Sequence, residues 1–255
     1  MCRFWPLSVI IAPHRDWPKA AHLFRHLLVF LLIIVSFCVL ASRLADVLAT
    51  DAVLNKVNAV YGDAGLNRVK QWLALVNESG SDNEWNQLNK VNTFFNKQIR
   101  YQNDLPLWGK NDYWASPVEM LGVGSGDCED YAIGKFFTLL SLGVPEEKMR
   151  LMYVRQLTVN EPHMVLIYFE QPNSIPLVLD NFDPRIKSAD KRRDLKPIYS
   201  FNGQGLWMAK AKGLGKKVEN SRGNSAWDSL TKRIENGEMN TIDKVNSKGP
   251  DYAKL

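Results

Sequence analysis

The residues best suited to chemistry lie between Gly124 and Tyr131, in the run GSGDCEDY, where Cys128 stands at the junction of a turn and a helix. The other two cysteines, Cys2 and Cys38, fall in the first fifty residues, so Cys128 is alone in the rest of the chain and no internal disulfide framework can form there. Gly124 and Gly126 permit a tight turn, Asp127 suits an N-cap, and Ala132, Phe136, Leu139 and Leu140 carry a helical pattern on to Gly143. A thiol in the first turn of a helix meets unpaired backbone N–H groups and the positive end of the helix dipole. Both favour the thiolate, the nucleophilic form of cysteine. Asp127, Glu129 and Asp130 act against this, because anions beside the sulfur disfavour another. A hard divalent cation held by carboxylate oxygens, calcium by preference, would neutralise them. Acidic residues that merely suit a helix N-terminus would explain them equally well.

A cysteine nucleophile needs a base, and the base an orienting group. His14, His22 and His26 lie in the leader, which leaves His163. Short β-type runs follow the cysteine helix at Arg150 to Leu157, Met164 to Glu170 and Leu177 to Leu179. His163 opens the second of these and Asp180 follows the third. Turn residues at Asn160 to Pro162 and Gln171 to Pro176 predict that the strands are antiparallel neighbours, able to bring both side chains to one helix N-terminus. The candidate triad is therefore Cys128, His163 and Asp180, with Asp183 and Asn181 as rivals for the third place.

The elements that must position these groups come earlier in the chain. Val53, Leu54, Val57 and Tyr61 recur at helical spacing, and a second helix, capped by Asp63, carries Leu66, Val69, Trp72, Leu73 and Val76. After a polar loop, Trp85, Leu88, Val91, Phe95 and Ile99 form the inward face of a third. The segment from Tyr101 to Pro117, with Trp108, Tyr113 and Trp114, reads as an aromatic loop beside the site. Beyond the strands, the six basic residues of Arg185 to Lys196 read as a solvated loop, and Pro197 to Phe201 as a further strand. From residue 208 the composition predicts a mobile polar tail with one short helix around Trp227 to Ile234.

The chain has 255 residues, 45% of them hydrophobic, with eight Trp, which is the composition of a folded domain with extensions. Its net charge of +5 divides into +3 over residues 1 to 49 and +2 over the rest, too weak a bias for a nucleic-acid partner. Residues 1 to 49 contain a 14-residue apolar run, Leu27 to Leu40, preceded by Arg25 and His26. This predicts an export signal cut after Ala41 or Ala49, with a retained signal anchor as the alternative. The organisation expected is thus leader 1–49, enzyme domain 50–207 and tail 208–255.

The motifs DYW at Asp112 to Trp114, GSGDCEDYAIGK at Gly124 to Lys135, HMVL at His163 to Leu166, LVLDN at Leu177 to Asn181 and RRDLKPIYSFN at Arg192 to Asn202 together resemble the bacterial transglutaminase-like cysteine proteinases, the LapG-like periplasmic proteases. The resemblance runs from about residue 83 to 207. It implies an α+β, papain-like or transglutaminase-like fold, with Cys128 as nucleophile, His163 as general base and acid, and Asp180 as its orienter. It also implies calcium at Asp127, Glu129 and Asp130. The implied substrate is the N-terminal region of a large surface adhesin, cut at a paired-alanine site to disperse a biofilm. The implied partner is an inner-membrane cyclic di-GMP receptor of LapD type, for which Trp108 and the basic residues near Arg192 are candidate contacts. Acyl transfer to an amine, as in a transglutaminase or amidase, is the alternative chemistry, and a non-catalytic calcium-binding module the alternative class.

Overall fold

A computed structural model of the chain describes residues 50–209, 213, 215–218 and 225–240; the leader and part of the C-terminal stretch lie outside them. The first helix, α1, spans Asp51–Ser79 and is interrupted at Gly62, whose φ of 68° breaks the helix just before Asp63. The two segments expected on either side of Asp63 are therefore present. Helix α2 (Glu84–Gln98) begins where the Asn83 side chain accepts the Asn86 N–H at 2.9 Å, and it buries Leu88, Val91 and Phe95. Trp85, expected on that inward face, is 51% exposed. It occupies the first turn, at the rim of the core, where it lines a surface groove with Lys148 and Tyr168.

Strand β1 (Arg100–Tyr101) leads to the short helix α3 (Asp104–Trp108), then to α4 (Pro117–Val123). Proline in the first turn and a Ser116–Glu119 capping box start α4. Two carbonyls at its end, of Leu121 and Gly122, accept Arg68 Nε and Nη2 at 2.5 and 2.6 Å. Strand β2 (Ser125–Gly126) pairs in parallel with β1, and helix α5 (Cys128–Ser141) follows at once. Helix α5 buries Tyr131, Ala132, Ile133, Phe136 and Leu139, so it is apolar almost all round and runs through the middle of the core.

The sheet comprises β3 (Met149–Gln156), β4 (Glu161–Tyr168), β5 (Leu177–Leu179), β6 (Lys187–Ser188), β7 (Leu195–Asn202), β8 (Gly205–Met208) and β9 (Lys216–Lys217). Every pairing is antiparallel, in the order β6-β5-β4-β3-β7-β8-β9. Met164, Leu166 and Tyr168 of β4 join the helices in the main core, whereas Val165 and Ile167 join Val154, Phe169 and Val178 in a second cluster on the other face. A strand covered on both faces has no polar alternation, which is why MVLIYF reads as a continuous apolar run.

Helix α6 (Ser225–Glu235) lies within the stretch expected to be mobile, yet Trp227 and Leu230 are buried in the main core. Trp227 stacks on Phe137 at 5.5 Å and meets Phe136 and Phe201 edge-on. Two apolar residues at helical spacing were enough to dock a segment whose average composition is polar. Past it, Gly237 O accepts Lys56 Nζ at 2.8 Å, Asn240 O accepts the Tyr61 hydroxyl at 2.7 Å, and the Asn240 N–H donates to buried Glu119 at 2.9 Å. No helix among the described residues is long and apolar enough to cross a membrane.

Candidate active site

The turn before Cys128 is built by two glycines with different tasks. Gly124 ends α4 in the left-handed region at φ 73°, with its N–H on Met120 O at 2.8 Å. Gly126 has no such φ. A Cβ there would fall 2.7 Å from Asp130 Oδ2 and 2.9 Å from Asp130 Cβ, so this glycine is required by close approach. Ladder bonds from Arg100 N–H to Gly124 O (3.1 Å) and from Gln102 N–H to Gly126 O (2.9 Å) fasten the turn to β1. Asp127 then caps α5, its N–H donating back to Asp130 Oδ2 at 3.4 Å.

Cys128 is 8% exposed, and its Sγ donates to Glu129 Oε2 at 2.7 Å. Burial pushes the thiol well above its ordinary pKa, and the carboxylates of Glu129 and Asp127 push the same way; a backbone hydrogen bond from Met164 opposes them. Burial and the acidic surroundings thus act together against the thiolate that a helix N-terminus favours. The Met164 contact also sets β4 against the sulfur one residue beyond His163. On His163, Nε2 lies 2.8 Å from Asp180 Oδ1, and both side chains are buried. Asp180 is held down to about 2, because the bonds from His163, the Phe182 N–H and Arg192 outweigh its burial. An ionised carboxylate only accepts, so Nε2 carries the proton of this bond and Nδ1 is the nitrogen left for other partners.

Neither rival for the third position is the partner of His163 Nε2. Asp183 pairs with Arg185 at 3.1 Å and Lys187 at 2.6 Å, and Asn181 forms no hydrogen bond through its buried Oδ1. One other expectation is corrected. Trp108 is fully buried and packs on Tyr113 at 4.7 Å, so it offers no free surface. Among the basic residues of Arg185 to Lys196, Arg192 is buried and bonded to Asp180 and Asp194, whereas Lys191, Arg193 and Lys196 are exposed.

The carboxylates converge differently from the spacing in the sequence. Asp104, Asp127 and Asp130 each offer an oxygen within 4.8 Å of the others. Asp104, from the aromatic segment, was not anticipated; it lies 23 residues before Asp127, and no local pattern links them. Glu129, expected in this group, stands outside that trio and takes the thiol instead, although its charge still reaches Asp104 and Asp127. Asp104 Oδ2 accepts the Tyr113 N–H at 2.6 Å, and Asp130 Oδ1 the Ala115 N–H at 2.7 Å. Asp104 Oδ1 and Asp127 Oδ1 are buried with no hydrogen-bond partner. Burial pushes Asp104 up to about 6, helped by Glu129 and Asp112, and Asp127 and Asp130 are driven upward for the same reason. Unpartnered buried oxygens and an all-oxygen donor set fit a hard cation.

A buried thiol opening a core helix, against an antiparallel strand whose histidine pairs with a carboxylate from the end of the next strand, defines a cysteine proteinase of transglutaminase-like fold. Residues 70–196 match the family of bacterial transglutaminase-like cysteine proteinases. The calcium-bound structure of Legionella pneumophila LapG is similar at 42% identity and a TM-score of 0.62, covering 71% of this chain and 97% of that one. The EGTA-treated structure of the same protein matches at 41% identity and 0.62, covering 72% and 96%. The chain belongs to the bacterial transglutaminase-like cysteine proteinases. Among curated protein sequences nothing matches it.

Proposed function

We propose that the chain is a calcium-dependent cysteine endopeptidase that cuts the N-terminal region of a large surface adhesin at a paired-alanine site. The observation that carries the catalytic reading is the buried His163–Asp180 pair, with His163 on the strand that touches the Cys128 sulfur and Asp180 at the end of the next. His163 Nδ1 takes the thiol proton, and Sγ attacks the peptide carbonyl carbon. The tetrahedral adduct collapses as the leaving amine receives that proton from His163. Water, deprotonated by His163, then splits the thioester, releasing the carboxylic acid and restoring the thiol. Asp180 holds the imidazole in the required tautomer and balances its positive charge. Backbone N–H groups at the start of α5 stabilise the oxyanion.

Asp104, Asp127 and Asp130 would hold the calcium, with Glu129 at its edge. When bound, the ion supplies positive charge that offsets the carboxylates raising the thiol's pKa. Likeness to a protein whose structures are calcium-bound and EGTA-treated supports this. Export to the periplasm through the leader, retention by an inner-membrane cyclic di-GMP receptor and release of a biofilm adhesin complete the proposal. They follow from the family resemblance of the motifs. The test is cleavage of a purified adhesin N-terminal fragment with calcium, with EGTA, and by Cys128→Ala. A calcium-dependent cut lost in the variant is the expected result. Cleavage by Cys128→Ala would refute the nucleophile, and labelling of a glutamine peptide by an amine without a cut would assign acyl transfer instead.

A further inference from the structure

Within the triad reading just proposed, we infer that Arg192 is a positioning residue for the reaction, a guanidinium that fixes the Asp180 carboxylate so that its other oxygen meets His163. Arg192 lies in the basic stretch after β6 and is nearly as buried as Asp180 itself. Its Nη2 donates at 2.7 Å to Asp180 Oδ2 and at 2.7 Å to Asp194 Oδ2, and its Nε donates at 3.0 Å to Asp194 Oδ1. Asp194 is itself braced, since its Oδ2 also accepts Gln156 Nε2 from β3 at 3.0 Å. A partly exposed carboxylate thus anchors a buried guanidinium, which holds a fully buried carboxylate in turn.

The consequence for Asp180 is geometric. Oδ1 receives His163 Nε2 at 2.8 Å and the Phe182 N–H at 3.0 Å, Oδ2 receives Arg192, and the backbone carbonyl accepts Asn96 Nδ2 from α2 at 2.8 Å. Both carboxylate oxygens are committed, so the plane of the group is set and Oδ1 stays on the imidazole. A buried amine lies within electrostatic reach of the same group. Lys135 of α5, two turns after Cys128, is fully buried, and its Nζ has no hydrogen-bond partner among the described residues; burial pushes its pKa down to about 7, with the Asp180 carboxylate opposing the shift. Without Arg192, Oδ2 would lose its hydrogen-bond partner, and the carboxylate could turn about its Cβ–Cγ bond and draw Oδ1 off the ring. A planar fork bridging two carboxylates is a task lysine performs poorly, because an ammonium is a point charge without fixed donor directions.

The experiment compares the full-length protein, in calcium, with its Arg192→Met, Arg192→Lys and Asp194→Asn variants. Steady-state cleavage of a fluorogenic peptide containing two adjacent alanines gives kcat and KM. 15N NMR of the histidine rings, with the His163 signals identified by their loss in His163→Gln, reports the tautomer. Arg192→Met should lower kcat by about 10- to 100-fold, the size usual for losing an outer partner of a functional histidine, with KM within about twofold. The imidazole should pass from a single Nε2–H form to a tautomer mixture. Arg192→Lys should recover part of kcat, and Asp194→Asn should lose about 3- to 10-fold by loosening the anchor. A merely structural role would lower the melting temperature and the number of active sites but leave the tautomer and the kcat per site unchanged. That result for Arg192→Met overturns the inference; if Arg192→Met does not fold, the same result for Asp194→Asn overturns it. Cleavage surviving in Cys128→Ala or His163→Gln would remove the triad reading itself. Cleavage lost in both, with silent Arg192 and Asp194 variants, would remove this inference alone.

Discussion

Asp104→Asn should stabilise the calcium-free protein at neutral pH while abolishing its stabilisation by calcium. A carboxyl whose folded pKa is raised binds its proton more tightly in the folded state. Its stability contribution is therefore complete below the unfolded pKa and is lost as pH climbs to the folded value. For Asp104 that window runs from 3.8 to about 6, and the upward shifts of Asp127 and Asp130 extend the decline to higher pH. Discounted for the water that still reaches this group, the loss from Asp104 alone is about 2 kcal/mol. Asparagine is neutral and of the same shape, and its amide oxygen can still accept the Tyr113 N–H that Asp104 Oδ2 accepts at 2.6 Å. In EGTA at pH 7 the variant should therefore melt about 4–8 °C above the wild type, taking about 2–4 °C per kcal/mol for a domain of this size. At pH 4.5 the difference should shrink toward zero. Adding calcium should reverse the order at pH 7, because the variant has lost a charged ligand. The assay is thermal unfolding followed by circular dichroism at both pH values, with and without calcium. A variant less stable than wild type in EGTA at pH 7, or one stabilised by calcium as strongly as wild type, would refute the reasoning.

Gly126→Ala should cost about 1–3 kcal/mol by overpacking, because the new methyl group would meet Asp130, which the Ala115 N–H holds in place. Urea unfolding checks this, and an unchanged midpoint would show that Asp130 moves freely. Trp227→Ala should destabilise the protein by about 3–5 kcal/mol, as expected for a large aromatic removed from a packed core. A loss below about 1 kcal/mol in the same assay would mean that α6 is not part of the cooperative unit.

Local periodicity made much of this architecture legible. Leu88, Val91 and Phe95 mark α2, and the apolar run after His163 marks β4. The juxtaposition of His163 with Asp180 could be argued because turn residues joined two adjacent strands, a short-range inference. Groups that meet only through tertiary packing left no such signal. Asp104 reaches Asp127 because α3 folds back onto the cysteine turn, and nothing in the intervening sequence records that path. Arg192 was hidden by its neighbours, since a run rich in Lys and Arg reads as solvated whichever member is buried. The C-terminal helix was masked in the same way, by an averaged polarity that concealed Trp227 and Leu230. The role of Gly126 shows the limit most directly. A glycine in a turn suggests backbone freedom, whereas the demand here comes from a side chain four residues later.

The bonds that tie Lys56 and Tyr61 to Gly237 and Asn240 span about 180 residues, and Arg233 reaches the Trp114 carbonyl across 119. Loop closure over such distances comes late in folding. During synthesis, the first helix leaves the ribosome long before its partners exist, and the segment bearing Tyr113 and Trp114 waits for Arg233 and Asn240 to brace it. The cysteine turn rests on that segment through Ala115 and Asp130. The support of the cysteine turn is thus shared between segments far apart in the chain, and the residues around Arg233 and Asn240 belong to the scaffold of the site as much as the helix that carries the thiol.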